Sequence, residues 1–235
     1  MAHRKEWVTI LKGVRPHFSR RYMLEPDNVY QGVPRPNHGL HHSLRQGFLA
    51  LDICTIFRKG CYGWISKELK CYEGTYYYIQ AVSSFQRSGR ESEHSSLQRP
   101  DLVEHYNNKD KANYESWAST QFEHYNSSVM DEEDYSLIGR IIKAAHQLDL
   151  ARIPHFCKER IYKRVKELLF VDFCNECVMR CVFEELWRRS EEYLRVTGDR
   201  RQGKKTYSHH FVDLYKEPEK MIDELMIAQT RLRNG

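Results

Sequence analysis

Residues His38–Phe57, HGLHHSLRQGFLALDICTIF, place Leu40, Leu44, Phe48, Leu51 and Phe57 mostly three or four positions apart. That spacing brings an apolar side chain back to one face of a helix at nearly every turn, whereas a half-buried strand would alternate. Asn37 stands just ahead of it, and its side-chain oxygen can accept from an exposed first-turn amide, so a helix is expected to start near His38. Upstream, VRPH, EPDN and QGVPRPN follow one another closely. Residues 1–37 therefore read as a short opening helix and an irregular lead-in.

Helical patterning recurs beyond this stretch. Gly74–Arg90, which largely overlaps TYYYIQAVSSFQRSGRE (75–91), predicts a second helix, with strand as the alternative because the segment is rich in aromatic and β-branched residues. Ser92–Ser116 is polar and predicts a long loop. ESWASTQFEHY is helical in pattern, and DEEDYSLIGRIIKAAHQLDLARI opens on acids that suit a helix N-terminus. Lys158–Val196 carries the strongest periodicity, over a span long enough to expect a break. After the basic turn GDRRQGKK comes an amphipathic segment, Pro218–Leu232. The expected class is all-α: a single compact helical domain over residues 1–197, with residues 198–235 as a basic linker and small C-terminal helical extension.

Composition narrows the function classes. Seven cysteines, an odd number scattered through 235 residues, argue against a disulfide framework and for a reducing compartment. The formal charge of +5 is small beside 37 basic and 32 acidic residues, so no nucleic-acid partner is expected from it. Apolar runs such as Leu168–Val171 are far too short to cross a bilayer. The basic start MAHRKEWVTILKGVR lacks the apolar stretch of a signal peptide, so neither a membrane partner nor a classical secretion route is expected.

Three groups of residues carry candidate chemistry. His38 and His42 lie one helical turn apart on one face, with Arg45 three residues further on, a spacing that suits a two-histidine metal site or an imidazole pair beside a phosphate-binding guanidinium. His41 is expected to face solvent or to make a helix-start contact. No histidine is followed directly by Asp or Glu, so the HExxH and His-Asp metal patterns are missing, although Asp149, three residues after His146, keeps a metal in play. SFQRSGRESEHS places Arg90 and Glu91 beside a turn-forming glycine, where charged side chains can enter a cleft or simply meet solvent. KAAHQLDLARI sets His146 in an apolar stripe, a place as suited to a packed core histidine as to a catalyst. The cysteines of CNECVMRC, Cys174, Cys177 and Cys181, follow helical spacing without a fourth ligand nearby, and are expected to be small core residues rather than a metal site.

Taken in order, RPNHGLHHSLR, SGRESE and AHQLDLAR resemble the phosphodiesterase domain of the Legionella SidE effectors and the related stand-alone Dup deubiquitinases, over residues 30–190. The first motif is long and specific; the other two gain weight from their order. The resemblance implies a helical domain that cleaves the pyrophosphate of ADP-ribosylated ubiquitin, releases AMP and passes phosphoribosyl to a substrate serine, or hydrolyses that linkage. It implies catalysis by two histidines and a glutamate, with no metal or other cofactor. By the resemblance His38 attacks phosphorus, Glu91 (or Glu93, two residues on) orients the His38 ring, and His146 serves as general acid and then base. Arg45, Arg90 and Arg152 hold phosphate oxygens, with Asn37 and His42 as further substrate contacts. It further implies ubiquitin or ADP-ribosylated ubiquitin and serine-bearing proteins as partners, a separate ADP-ribosyltransferase as supplier, and residence in a host cytosol after secretion as an effector. Two other expectations stay open beside it: a metal-dependent HD-like nucleotide phosphohydrolase, and a helical interaction module without catalysis.

Overall fold

The helix read from HGLHHSLRQGFLALDICTIF forms the centre of the molecule. In the computed structural model α2 (Leu40–Lys59) is enclosed on all sides, with every residue from Leu40 to Cys54 buried. The structure describes residues 2–18, 40–59, 137–153, 156–170, 174–197 and 218–234. These comprise α1 (Ala2–Phe18), α2, α3 (Leu137–Asp149) with a following 3-10 turn (Leu150–Arg152), α4 (Lys158–Leu169), α5 (Glu176–Val196) and α6 (Pro218–Asn234). There is no strand among the described residues, and the fold is all-α.

Each remaining helix lays an apolar stripe against α2 or against a helix that does. α3 packs along α2 with Ile141, Ile142, Ala144, Ala145 and Leu148, and its alanines allow close approach. From α1, Trp7 stacks on Phe48 of α2, with ring centroids 4.1 Å apart and 4° between planes. α5 brings Phe183, Leu186 and Tyr193 inward, and Tyr193 meets Phe48 edge to face at 5.8 Å. α6, the amphipathic segment expected near the C-terminus, buries Met221, Ile222, Leu225, Ala228 and Leu232 against α1, α2 and α5. Burying each large apolar side chain of this kind stabilises the fold by about 1.5–3 kcal/mol.

Helix ends follow local chemistry. The residue before a proline avoids helical geometry, and Ile153, which precedes Pro154, is extended (φ −93°, ψ 122°), closing the 3-10 turn after α3. The span Lys158–Val196 does break: α4 stops at Leu169, and α5 restarts behind Asn175, whose side chain accepts from the Val178 N–H at 3.2 Å. Glu176 then sits in the first turn, where a carboxylate complements the helix dipole.

One reading of the cysteines is corrected. Cys174, Cys177 and Cys181 are exposed, not core residues. The stripe has helical spacing, but the face of α5 carrying Met179, Val182, Phe183 and Leu186 is the one turned inward. Among the described cysteines Cys54, in α2, is the buried one. The helix-or-strand segment 74–90, the loop 92–116, the helical pattern in ESWASTQFEHY, the Asn37 cap and the basic linker lie outside the described residues. No described helix is long and apolar enough to cross a membrane.

Candidate functional site

The site forms where α2 crosses the C-terminal end of α3. His42 and Arg45 are one turn apart on α2, and Asp149 is the last residue of α3. Asp149 is their meeting point. Its Oδ2 lies 2.6 Å from His42 Nδ1, and its Oδ1 accepts from Arg45 Nε at 2.6 Å. Arg45 Nη2 donates to Oδ2 at 3.3 Å, and Arg152 Nη1 donates both to Oδ2 and to the Asp149 carbonyl, the latter at 2.6 Å. The third Arg45 nitrogen, Nη1, donates to Thr197 Oγ1 at 2.9 Å. His42, Arg45 and Asp149 side chains are wholly buried, and Arg152 nearly so.

Burial alone would raise the Asp149 carboxyl, but the charges of Arg45 and Arg152 and the hydrogen bond from His42 outweigh it and hold the group well below the usual carboxylate range. An ionised Asp149 can only accept, so His42 carries a hydrogen on Nδ1, and in the neutral ring Nε2 is then the basic nitrogen. The carboxylate sets the tautomer of an imidazole, as carboxylates do in hydrolytic sites on unrelated folds. Asp149 is also a poor ligand for a divalent cation, because two guanidiniums already neutralise it.

His146, one turn before Asp149 on α3, is buried and meets the His42 ring edge to face, with centroids 5.2 Å apart and 77° between planes. The structure thus brings together four of the residues expected at the site: His42, Arg45 and Arg152 gather on Asp149, with His146 alongside. Asn37, His38, Arg90, Glu91 and Glu93 lie outside the described residues. His41, expected to face solvent or to make a helix-start contact, lies in the first turn of α2 and is buried at 2% exposure, because α2 has no solvent face at that turn.

In sequence Asp149 stands out only as a companion to His146 for a metal. The signal for its actual position was an acid amid the apolar residues of HQLDLARI, with an arginine three residues later and no other use for a buried charge. No group of three or more His, Cys, Asp or Glu among the described residues stands where it could hold a metal ion.

A second buried charge went unnoticed in sequence. Asp52, two turns beyond Arg45 on α2, accepts from Arg189 Nη1 at 3.0 Å, from Gln229 Nε2 at 2.9 Å and from the Tyr193 hydroxyl. Burial pushes the Asp52 carboxyl up, against the opposing pull of Arg189, and burial also pushes the Tyr193 hydroxyl well up. Arg189 continues to the Leu232 carbonyl at 3.2 Å, tying α5 to the end of α6.

Comparison with known proteins agrees with this architecture. A structure of the C-terminal domain of lpg1496 from Legionella pneumophila, in complex with nucleotide, is similar in fold, with a TM-score of 0.51 over 91% of this chain and 86% of that one at 21% identity. No curated protein matches the chain. The family model of the SidE phosphodiesterase (PDE) domain matches residues 12–207, a span that takes in the whole Asp149 cluster. The chain belongs to the SidE phosphodiesterase domain family, and its function is of the phosphodiesterase type.

Proposed function

We propose that the protein is a metal-independent phosphodiesterase acting on ADP-ribosyl or phosphoribosyl groups carried by ubiquitin. The observation that carries the reading is the pairing of His146 with a His42 whose tautomer an ionised, doubly arginine-bound Asp149 sets. Two neighbouring imidazoles beside two guanidiniums suit an anionic phosphodiester, for which proton transfer and charge stabilisation are the main requirements. The lpg1496 domain, similar in fold, was captured with nucleotide, which fits a nucleotide-bearing substrate here.

In this reading His38 attacks the phosphorus proximal to the ribose bound to ubiquitin, forming a nitrogen–phosphorus bond as the bond to the AMP oxygen breaks. Glu91 orients the His38 ring. His146 protonates the departing AMP oxygen, then takes the proton from an incoming serine hydroxyl or water as the phosphoribosyl group leaves His38. Arg90 and Arg152 take phosphate oxygens, with Asn37 as a further contact. Arg45, whose three nitrogens rest on Asp149 and Thr197, acts through that carboxylate, and His42 stands between it and His146. Serine-bearing proteins are the acceptors in the transfer branch, and a separate ADP-ribosyltransferase supplies the substrate.

The test incubates the protein with ADP-ribosylated ubiquitin and, separately, with phosphoribosyl-serine ubiquitin, following AMP release and ubiquitin mass. AMP release from the first, or loss of the serine linkage in the second, is expected, and each should vanish in His38→Ala and His146→Ala. Full activity in either variant, or no turnover of either substrate by the wild type, would overturn the assignment.

A further inference from the structure

Thr197 lies at the C-terminal cap of α5, 1% exposed, far along the chain from every motif that marks the site. A threonine hydroxyl has one hydrogen and two lone pairs. That hydrogen is committed to the backbone, for Oγ1 donates to the Tyr193 carbonyl at 2.8 Å. The oxygen is thereby left to accept, and it does so from Arg45 Nη1 at 2.9 Å. Arg45 is then held at both ends of its guanidinium, by Thr197 at Nη1 and by Asp149 at Nε and Nη2.

The contact does not stand alone. Tyr193, whose carbonyl fixes the Thr197 hydroxyl, sends its own hydroxyl to Asp52, which in turn binds Arg189 and Gln229. Buried polar contacts thus run from Gln229 on α6 through Asp52 to the Tyr193 hydroxyl and, at the backbone end of the same residue, from the Tyr193 carbonyl through Thr197, Arg45 and Asp149 to His42. Apolar residues would fill this space at lower desolvation cost, and a chain satisfied along its length constrains geometry.

We propose that Thr197 is a positioning residue: its hydroxyl fixes the Arg45 guanidinium, and through it the Asp149 carboxylate that sets the tautomer of His42. The groups facing His42 among the described residues are Asp149, with Arg45 and Arg152 behind it, and the His146 ring. Loss of the Thr197 acceptor frees one end of Arg45, loosens its grip on Asp149, and lets the His42 ring hydrogen divide between its two nitrogens. The role in catalysis rests on the phosphodiesterase reading above; the role in setting the tautomer does not.

The experiment compares wild type, Thr197→Val and Thr197→Ser, with histidine ring nitrogens labelled with nitrogen-15 and followed by NMR against pH, alongside cleavage of ADP-ribosylated ubiquitin. Thr197→Val should give His42 a mixed tautomer and move its titration midpoint by about half a pH unit or more. It should lower kcat about tenfold, with KM within about twofold of wild type. Thr197→Ser, which keeps the oxygen, should restore both. Ile222→Val, a core trim on α6 away from the polar chain, reports the effect of lost stability alone and should leave the His42 spectrum unchanged. If Thr197→Val does not fold, Thr197→Ala takes its place with the same expectations. A His42 spectrum unchanged in the valine or alanine variant, or moved equally by Ile222→Val, overturns the proposal. A wild type without turnover instead removes the phosphodiesterase reading, and the spectrum still decides the positioning role.

Discussion

His42 of α2 and His146 of α3 meet edge to face at 5.2 Å, and the carboxylate one turn beyond His146 holds the first ring by its Nδ1. The two helices thus deliver an ordered imidazole pair through their packing, with Asp149 as the pin. The consequences can be checked at each member of the cluster.

Replacing Asp149 by Asn would leave Arg45 and Arg152 buried without a counter-charge. Removing one partner from a buried pair costs about 3–5 kcal/mol. Urea unfolding of Asp149→Asn at neutral pH should show a loss of that order, and phosphodiester cleavage should fall by about a hundredfold or more because the His42 tautomer is no longer imposed.

The same residue predicts a pH dependence. The native Asp149 carboxyl sits well below its ordinary value of 3.8, so its contribution is fully present above that value and is lost as pH falls through the depressed native one. Asp52 has the opposite sign: raised in the native state, its contribution is present below 3.8 and is lost as pH rises through the native value. Unfolding measured from pH 3 to 7 should show the stability gap between wild type and Asp149→Asn narrowing in acid. A gap constant across that range would contradict the assignment.

Arg189→Ala would remove the nearer guanidinium from Asp52, leaving Arg233 at 3.9 Å, and would leave the Leu232 carbonyl to Arg188 at 3.4 Å. A loss of about 3 kcal/mol is expected from the weakened pairing of the buried carboxylate. Limited proteolysis should cut within α6 before any other described helix, since the tie between α5 and α6 is the one weakened.

Thiol chemistry should divide the described cysteines into two sets. Cys157, Cys174, Cys177 and Cys181 are exposed, while burial raises the Cys54 thiol far above its ordinary value. Iodoacetamide on the native protein, read by peptide mass spectrometry, should modify the four and spare Cys54 until denaturant is added. Serine at Cys174, Cys177 and Cys181 should cost within about 0.5 kcal/mol each, as expected for surface positions.

Much of the fold was legible because amphipathic periodicity is local. The helix of HGLHHSLRQGFLALDICTIF, the break inside Lys158–Val196 and the segment from Pro218 all follow from spacing and capping. Spacing does not say which face turns inward, which is why the stripe Cys174, Cys177 and Cys181 reads as core and proves exposed. The motifs marked His42, Arg45, His146 and Arg152, and the structure places these four side by side. Their convergence on Asp149 was not legible, because it depends on α2 crossing the end of α3. Asp52 and Thr197 escaped notice for the same reason: each is a single polar residue whose partners lie on other helices.

The ion pairs between α4 and α5 have an effect beyond their small individual strengths. Lys158 meets Glu184 at 2.5 Å and Arg180 meets Glu159 at 2.9 Å, so the two antiparallel helices carry opposite charge orders along the seam. Sliding α5 by one turn in one direction would set Lys158 against Arg180 and Glu159 against Glu176. Sliding it the other way would set Lys158 against Arg188 and Glu159 against Glu184. Either slip brings like charges together twice, so the charge order along the seam disfavours a one-turn misalignment of α4 on α5.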